Sequence, residues 1–344
     1  MQHTSRLRSI QKQARKTKIL AFDMGSTQTR ISSEGKQIWQ EATCLAVHPQ
    51  SRMAISIGTA AYRLLGKRTS KTELIFPIEY AAVGSMHYAV EYLRILREQL
   101  GWGASWMGGM NQPIVYCGMY DSLSPLEKQQ FAHCFSEAGW TKVRFYSAAL
   151  AALQASKRSS LDTPHCIIDI GGQSTELAIA HGEQVIASTK ITWGGLTFTD
   201  AIQRLIIAKY HCAVSWHTTE AVKKELAFVT TNEIPRAMKQ KKYSIAGKDI
   251  TSQLGKTVVV EAEPVIEAVS QLPETLITNI QHFFAALPAE IVTSCLEQGI
   301  VLTGGGAKLE GMVEYLRQTL KTEISISDSP EADILRGLEV VAST

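Results

Sequence analysis

The six cysteines are scattered, with no CxxC pair, and the nine histidines form no HxxxH or HExxH pattern. The chain therefore lacks metal-ligand spacing, and no zinc site is expected. Its thiols read as reduced side chains, mostly in the core. An excess of one charge is missing too. Thirty-five Lys and Arg against 32 Asp and Glu leave +3, with a pI near 8.4. That balance is too mild to indicate nucleic-acid binding. No apolar run is long enough to span a bilayer, and no secretory h-region precedes a cleavage site. There is no low-complexity linker. What remains is ordinary for a globular chain: 45% hydrophobic, 19% charged, and at 344 residues long enough for two domains.

The stretch that organises the rest is Cys166–Ile179, CIIDIGGQSTELAI. An apolar run ends in Asp169, Gly171 and Gly172 turn the chain, Ser174 and Thr175 offer hydroxyls, and the alternation resumes. This is strand, tight turn, returning strand. Glycines let backbone N–H groups approach a phosphate, and a carboxylate at the rim suits a hydrated Mg²⁺. A plain β-hairpin would read the same way. Lys18–Ser32, KILAFDMGSTQTRIS, repeats the grammar with Asp23, Gly25, Ser26, Thr27 and Thr29, about 145 residues earlier. Gly299–Leu316 supplies a third element, in which the strand Ile300–Leu302 meets Gly304, Gly305 and Gly306 and a helix follows. A glycine turn there suits a phosphate or the flat face of a nucleoside.

In this order and spacing, the three elements resemble the phosphate 1, phosphate 2 and adenosine motifs of the actin-like ATPase superfamily. Within it the chain resembles the MreB family from about Lys18 to its C-terminus. TELIFPIEYAAVG (Thr72–Gly84), ITWGGLTFTDAI (Ile191–Ile202) and TTEAVKKELAF (Thr218–Phe228) extend the likeness. The resemblance implies an α/β, actin-like (ribonuclease H-like) fold of duplicated domains with an interdomain nucleotide cleft. Domain I would take residues 18–155 and 321–344, with a small subdomain near 36–70. Domain II would take 156–320, with a small subdomain near 197–256. ATP and Mg²⁺ are the implied cofactors. Asp23 and Asp169 would hold the ion through water. Gly25, Ser26, Thr27, Gly171, Gly172, Gln173, Ser174, Gly194 and Gly195 would cradle the phosphates. Glu220, Lys223, Gly304, Gly305, Gly306 and Ala307 would hold the nucleoside, although an i,i+3 pair such as Glu220 and Lys223 is more commonly a surface ion pair. The implied function is a filament subunit at the inner face of the cell membrane, self-associating head to tail and working with cell-wall or division proteins to set cell shape.

Three positions depart from the family pattern. The run FYSAALAAL places Ser147 where a Glu or Gln normally orients the attacking water, so slow ATP hydrolysis is expected at a site formed by Asp169 and Ser147. Gln173 stands in place of a third glycine, and Leu196 in place of a frequent Asp. The weak hydrolytic position keeps a second class open, a nucleotide-binding membrane adaptor like FtsA or PilM. A third class, a sugar kinase or exopolyphosphatase, shares the phosphate motifs but gives Thr72–Gly84 no role.

Further signals are local. Ser124, Pro125 and Glu127 read as a helix start, and Thr218 or Thr219 as the cap of a later helix. Met86–Leu100 carries apolar residues at helical spacing. Gly101–Gln112, GWGASWMGGMNQ, has no charge, four glycines, two tryptophans and two methionines. Trp102, Trp106 and Met107 are therefore expected at a membrane interface, the alternative being tryptophans tucked into the core. The basic tail Met1–Thr17 reads as a solvated end, with lipid contact as the alternative.

Overall fold

A computed structural model describes residues 19–64, 72–102, 112–156, 162–230 and 233–343. The basic tail, Trp106 and Met107 lie outside these. The chain forms two compact units. The first takes in the described residues of Met1–Ser160, Glu183–Lys190 and Ala332–Thr344, the second those of Leu161–Gly182 and Ile191–Glu331.

The first unit begins with the antiparallel strands β1 (Ile19–Met24), β2 (Gln28–Ser33) and β3 (Lys36–Ala42). A small sheet follows, from β4 (Leu45–Val47), β5 (Ala54–Ile57) and, after the short helix α1 (Gly58–Tyr62), β6 (Glu73–Ile75). The two-residue strands β7 (Ile78–Glu79) and β8 (Ala82–Val83) lead into α2 (Met86–Gln99). Then come β9 (Ile114–Met119), α3 (Pro125–Glu137), β10 (Val143–Ser147) and α4 (Ala148–Ala155). The sheet order is β10–β9–β1–β2–β3, with β9 parallel to both β1 and β10.

Local chemistry explains these elements. In α2, Ala89, Tyr92, Leu93 and Leu96 are buried, one stripe at helical spacing. The start of α3 is a capping box: Glu127 N donates to Ser124 Oγ, and Ser124 N donates to the Glu127 carboxylate. The C-terminal helix Asp333–Ser343 packs on α4 so closely that a Cβ on Gly337 would stand 1.8 Å from the Ala151 carbonyl oxygen.

Trp102 corrects the membrane expectation. It is buried, 9% exposed, with its ring edge-on to Trp140 at 6.2 Å, inside the core that holds Phe22 and Phe135. Its backbone N–H donates to Arg97 O, which turns the chain back onto the end of α2. Indole burial in a packed aromatic cluster is worth more than display on the surface.

The second unit opens with β11 (His165–Ile170) and β12 (Thr175–His181), antiparallel across the glycine turn, followed in the chain by β13 (Gln184–Ile191). Next are α5 (Gly195–Tyr210), β14 (Cys212–Ala213), α6 (Trp216–Leu226) and α7 (Arg236–Lys239). The long hairpin of β15 (Lys242–Asp249) and β16 (Gly255–Glu261) pairs with β14. Helices α8 (Ala262–Val269), α9 (Leu272–Ala285) and α10 (Ala289–Gln298) lead to β17 (Ile300–Thr303), which runs parallel to β11. Last come α11 (Met312–Leu320) and β18 (Ile324–Ile326), parallel to β17. The strand run β10–β9–β1–β2 of the first unit thus recurs as β18–β17–β11–β12, with the same directions. Because β18 completes this sheet, the second unit extends to Glu331, where the expected second domain ended at residue 320. The cap of α6 is Ser215, whose Oγ accepts from Thr218 N, so the helix starts earlier than a Thr218 or Thr219 cap would place it.

All six cysteines are buried and free. Among the described residues no helix is long and apolar enough to cross a membrane.

Candidate functional site

Parallel β1, β9 and β10 bring their C-terminal ends to one edge of the first sheet. In open α/β sheets that edge is where ligands bind. The Gly25–Thr27 turn leaves β1 there, closed by Gly25 N donating to Gln28 O. Ser26 is buried, Thr43 N donates to Thr27 O, and Thr29 and Thr43 join hydroxyls at 2.9 Å. Asp23 faces Arg30 across the β1–β2 pair, with 3.6 Å between Oδ2 and Nη1. Burial pushes the Asp23 carboxyl up, and the Arg30 guanidinium opposes this.

Ser147 ends β10 at the same edge and caps α4, its Oγ accepting from Leu150 N. The Ser147 hydroxyl also donates to Asp121 Oδ2 at 2.5 Å. Asp121 lies two residues beyond the end of β9 and was not singled out from the sequence. The available signal was a carboxylate just past the C-terminal end of a parallel strand.

In the second unit the expected residues form one contiguous set. Asp169 is buried near the end of β11 and faces Glu176 across the hairpin. Gly171 N donates to Ser174 O, closing the turn. The first turn of α5 holds this loop from behind: Gly195 N donates to Gly171 O, and Leu196 N to Gly172 O. In a trans peptide the C=O and the following N–H point in opposite directions. The Gly172 and Gln173 N–H groups therefore point away from α5. Gly194 must be glycine for this contact, since a Cβ would stand 2.7 Å from both carbonyl oxygens.

Glu220 and Lys223 do not hang free on α6. Lys223 Nζ donates to Gly195 O, Thr199 Oγ1 and Glu220 Oε1 at 3.0, 2.9 and 2.7 Å. Thr199 in turn donates to Glu220 Oε1. Burial pushes the Lys223 ammonium down, against the pull of Glu220. Two of the ammonium's three donors thus tie α6 to the start of α5, and the third goes to Glu220 on α6 itself.

Gly304 takes φ +86°, and a Cβ there would lie 2.2 Å from Asp169 Oδ1. Gly306 is equally close to Ile170, 2.2 Å from Cγ2. Gly305–Lys308 is a 3-10 turn containing Ala307, and the helix expected after the glycines follows as α11. Contacts thus run from Lys223 through Gly195, Gly171 and Asp169 to Gly304.

Each unit has one aspartate, Asp23 in the first and Asp169 in the second, whose hard oxygens suit a hydrated Mg²⁺, and among the described residues no cluster of three or more His, Cys, Asp or Glu could cage a metal directly. Glycine at 194 and at 304 lets the backbone pack directly on the Gly171 and Gly172 carbonyls and on Asp169, where a Cβ would collide.

Known proteins resemble this chain in sequence and fold. The chain is 22% identical over 313 residues to the cell shape-determining protein Mbl of Bacillus subtilis, covering 90% of this chain and 91% of that one. The structure of MreB5 of Spiroplasma citri bound to ADP superposes with a TM-score of 0.81 at 22% identity, over 94% of this chain and 95% of that one. The MamK double helical filament gives a TM-score of 0.74 at 18% identity, over 95% and 98%. The family model described as MreB/Mbl protein matches residues 17–344. The fold is actin-like, and the chain belongs to the MreB/Mbl family.

Proposed function

We propose that this protein binds ATP with Mg²⁺ and assembles head to tail into filaments that serve an MreB-like role in cell shape. The observation that carries this is the loop Gly171–Ser174. Its carbonyls are held by α5, so its N–H groups at Gly172 and Gln173 are aimed as a phosphate needs them. Ser26 and Thr27 add hydroxyls at the edge of the first sheet. Gly304–Ala307 offers flat backbone to the nucleoside. Lys223 serves by anchoring α5 and the phosphate loop behind it. Mg²⁺, held through water by Asp23 and Asp169, would neutralise charge on the β- and γ-phosphates. The ADP bound to MreB5 supports a nucleotide, and the MamK filament supports self-association. Head-to-tail contacts build open polymers.

Titration with a fluorescent ATP analogue tests the site. The unaltered protein binds it in a Mg²⁺-dependent way, and Asp169→Ala removes that dependence. Equal Mg²⁺-dependent affinity in both proteins would reject the assignment.

Peripheral membrane attachment and contact with cell-wall machinery belong to the same proposal. With Trp102 in the core, the lipid contact falls to Trp106 and Met107 in the uncharged stretch Gly101–Gln112. Trp106→Ser should weaken vesicle co-sedimentation without lowering the melting temperature. Undiminished pelleting would remove Trp106 as the lipid contact.

A further inference from the structure

The family position for orienting water carries Ser147, yet a carboxylate stands beside it. We infer that Asp121, hydrogen-bonded to Ser147, is the general base for the attacking water when ATP is hydrolysed. This rests on the ATP-binding reading above.

The placement comes from the sheet. β9 lies between β1 and β10, and all three run the same way. Asp121 follows the end of β9, with Ser147 on one flank and the Gly25–Thr27 turn on the other. Neighbouring strands are about 4.8 Å apart, so the carboxylate and the phosphate loop share one edge. Both Asp121 and Ser147 are half-buried and reachable by water.

The hydrogen bonds define the roles. Ser147 gives its proton to Asp121 Oδ2 and accepts Leu150 N–H, so its side chain is held in one orientation. One lone pair of Oγ is left for a water hydrogen. A carboxylate has lone pairs enough to accept the other beside its bonds from Ser147 and its own backbone. A water donating to both has its own lone pair directed outward, as an in-line nucleophile requires. In the reaction the water oxygen bonds to the γ-phosphorus as the bond to the β–γ bridging oxygen breaks. ADP leaves with that electron pair. The water proton passes to Asp121 Oδ1 and from there to solvent or the released phosphate.

The surroundings suit a base. Burial raises the Asp121 carboxyl above its ordinary value, with the Ser147 hydrogen bond, the Lys128 charge and a hydrogen bond from its own backbone opposing. Lys128 of α3 donates to the Asp121 backbone oxygen at 2.9 Å, and the neighbouring Tyr146 hydroxyl is pushed up by burial, with Glu183 and Asp121 adding to it. A carboxylate with raised affinity for protons takes one from water more readily, and general-base catalysis is typically worth about 10²–10⁴-fold.

The test uses the full-length protein and three readouts: single-turnover hydrolysis, ATP affinity and thermal melting. Asp121→Asn keeps an oxygen for the Ser147 hydroxyl and removes the base. Its hydrolysis should fall about 100-fold or more, with affinity and melting unchanged. Asp121→Asn combined with Ser147→Glu returns a carboxylate to the family position and should recover hydrolysis. Asp121→Asn at the unaltered rate overturns the proposal, as does a loss of hydrolysis that merely follows a loss of affinity or fold. A protein that binds no ATP overturns the nucleotide reading and this role with it. ATP binding with no effect of Asp121→Asn overturns this role alone.

Discussion

Gly304 shows how much a single backbone position can decide. At φ +86° an L side chain is strained, and its Cβ would collide with Asp169 Oδ1. Gly304→Ala should therefore displace the carboxylate and cut ATP affinity at least tenfold, about 1.4 kcal/mol. Unchanged affinity in a titration would show that Asp169 does not matter to the nucleotide. The pairs facing the two aspartates differ in charge, Arg30 against Asp23 and Glu176 against Asp169. The glycines and aspartates were legible in the sequence because few other residues make such loops. Asp121 was not. Its meeting with Ser147 spans 26 residues and depends on the register of two parallel strands, which no local pattern states.

Among the elements, the end of α2 was the least legible. An uncharged, glycine-rich stretch with two tryptophans does not say which indole turns inward. The fold decides it: Arg97 O takes the Trp102 N–H, and Trp140 supplies an aromatic wall. Trp140 is itself fixed, its Nε1 donating to Leu93 O. Trp102→Ala should destabilise the protein by about 3–5 kcal/mol in denaturant unfolding. A loss under 1 kcal/mol would mean the indole is not core. The start of α6 was misplaced for a simpler reason. Ser215, Thr218 and Thr219 all have capping hydroxyls, and only the backbone path selects Ser215. By contrast, the Ser124–Glu127 box and the α2 stripe were legible because both are local. Replacing Ser124 by Ala should cost about 1 kcal/mol in the same unfolding experiment, with a neutral result removing the cap from the account.

At the scale of the molecule, one strand topology is used twice, each copy carrying an Asp-Gly loop at the C-terminal end of its first strand. The two loops announced that repetition in the sequence, because the same few residue types recur in the same order. Boundaries between the units were harder to read, since β18 belongs to the second sheet although it lies close to the C-terminus. In the proposed function, filaments assemble from the ATP-bound protein. Electron microscopy of the purified protein, with ATP and Mg²⁺, without nucleotide, and as the Asp169→Ala variant, tests it most directly. The account predicts filaments only for the unaltered protein with ATP and Mg²⁺. Equally abundant filaments without nucleotide or in the variant, or none under any of the three conditions, would contradict it.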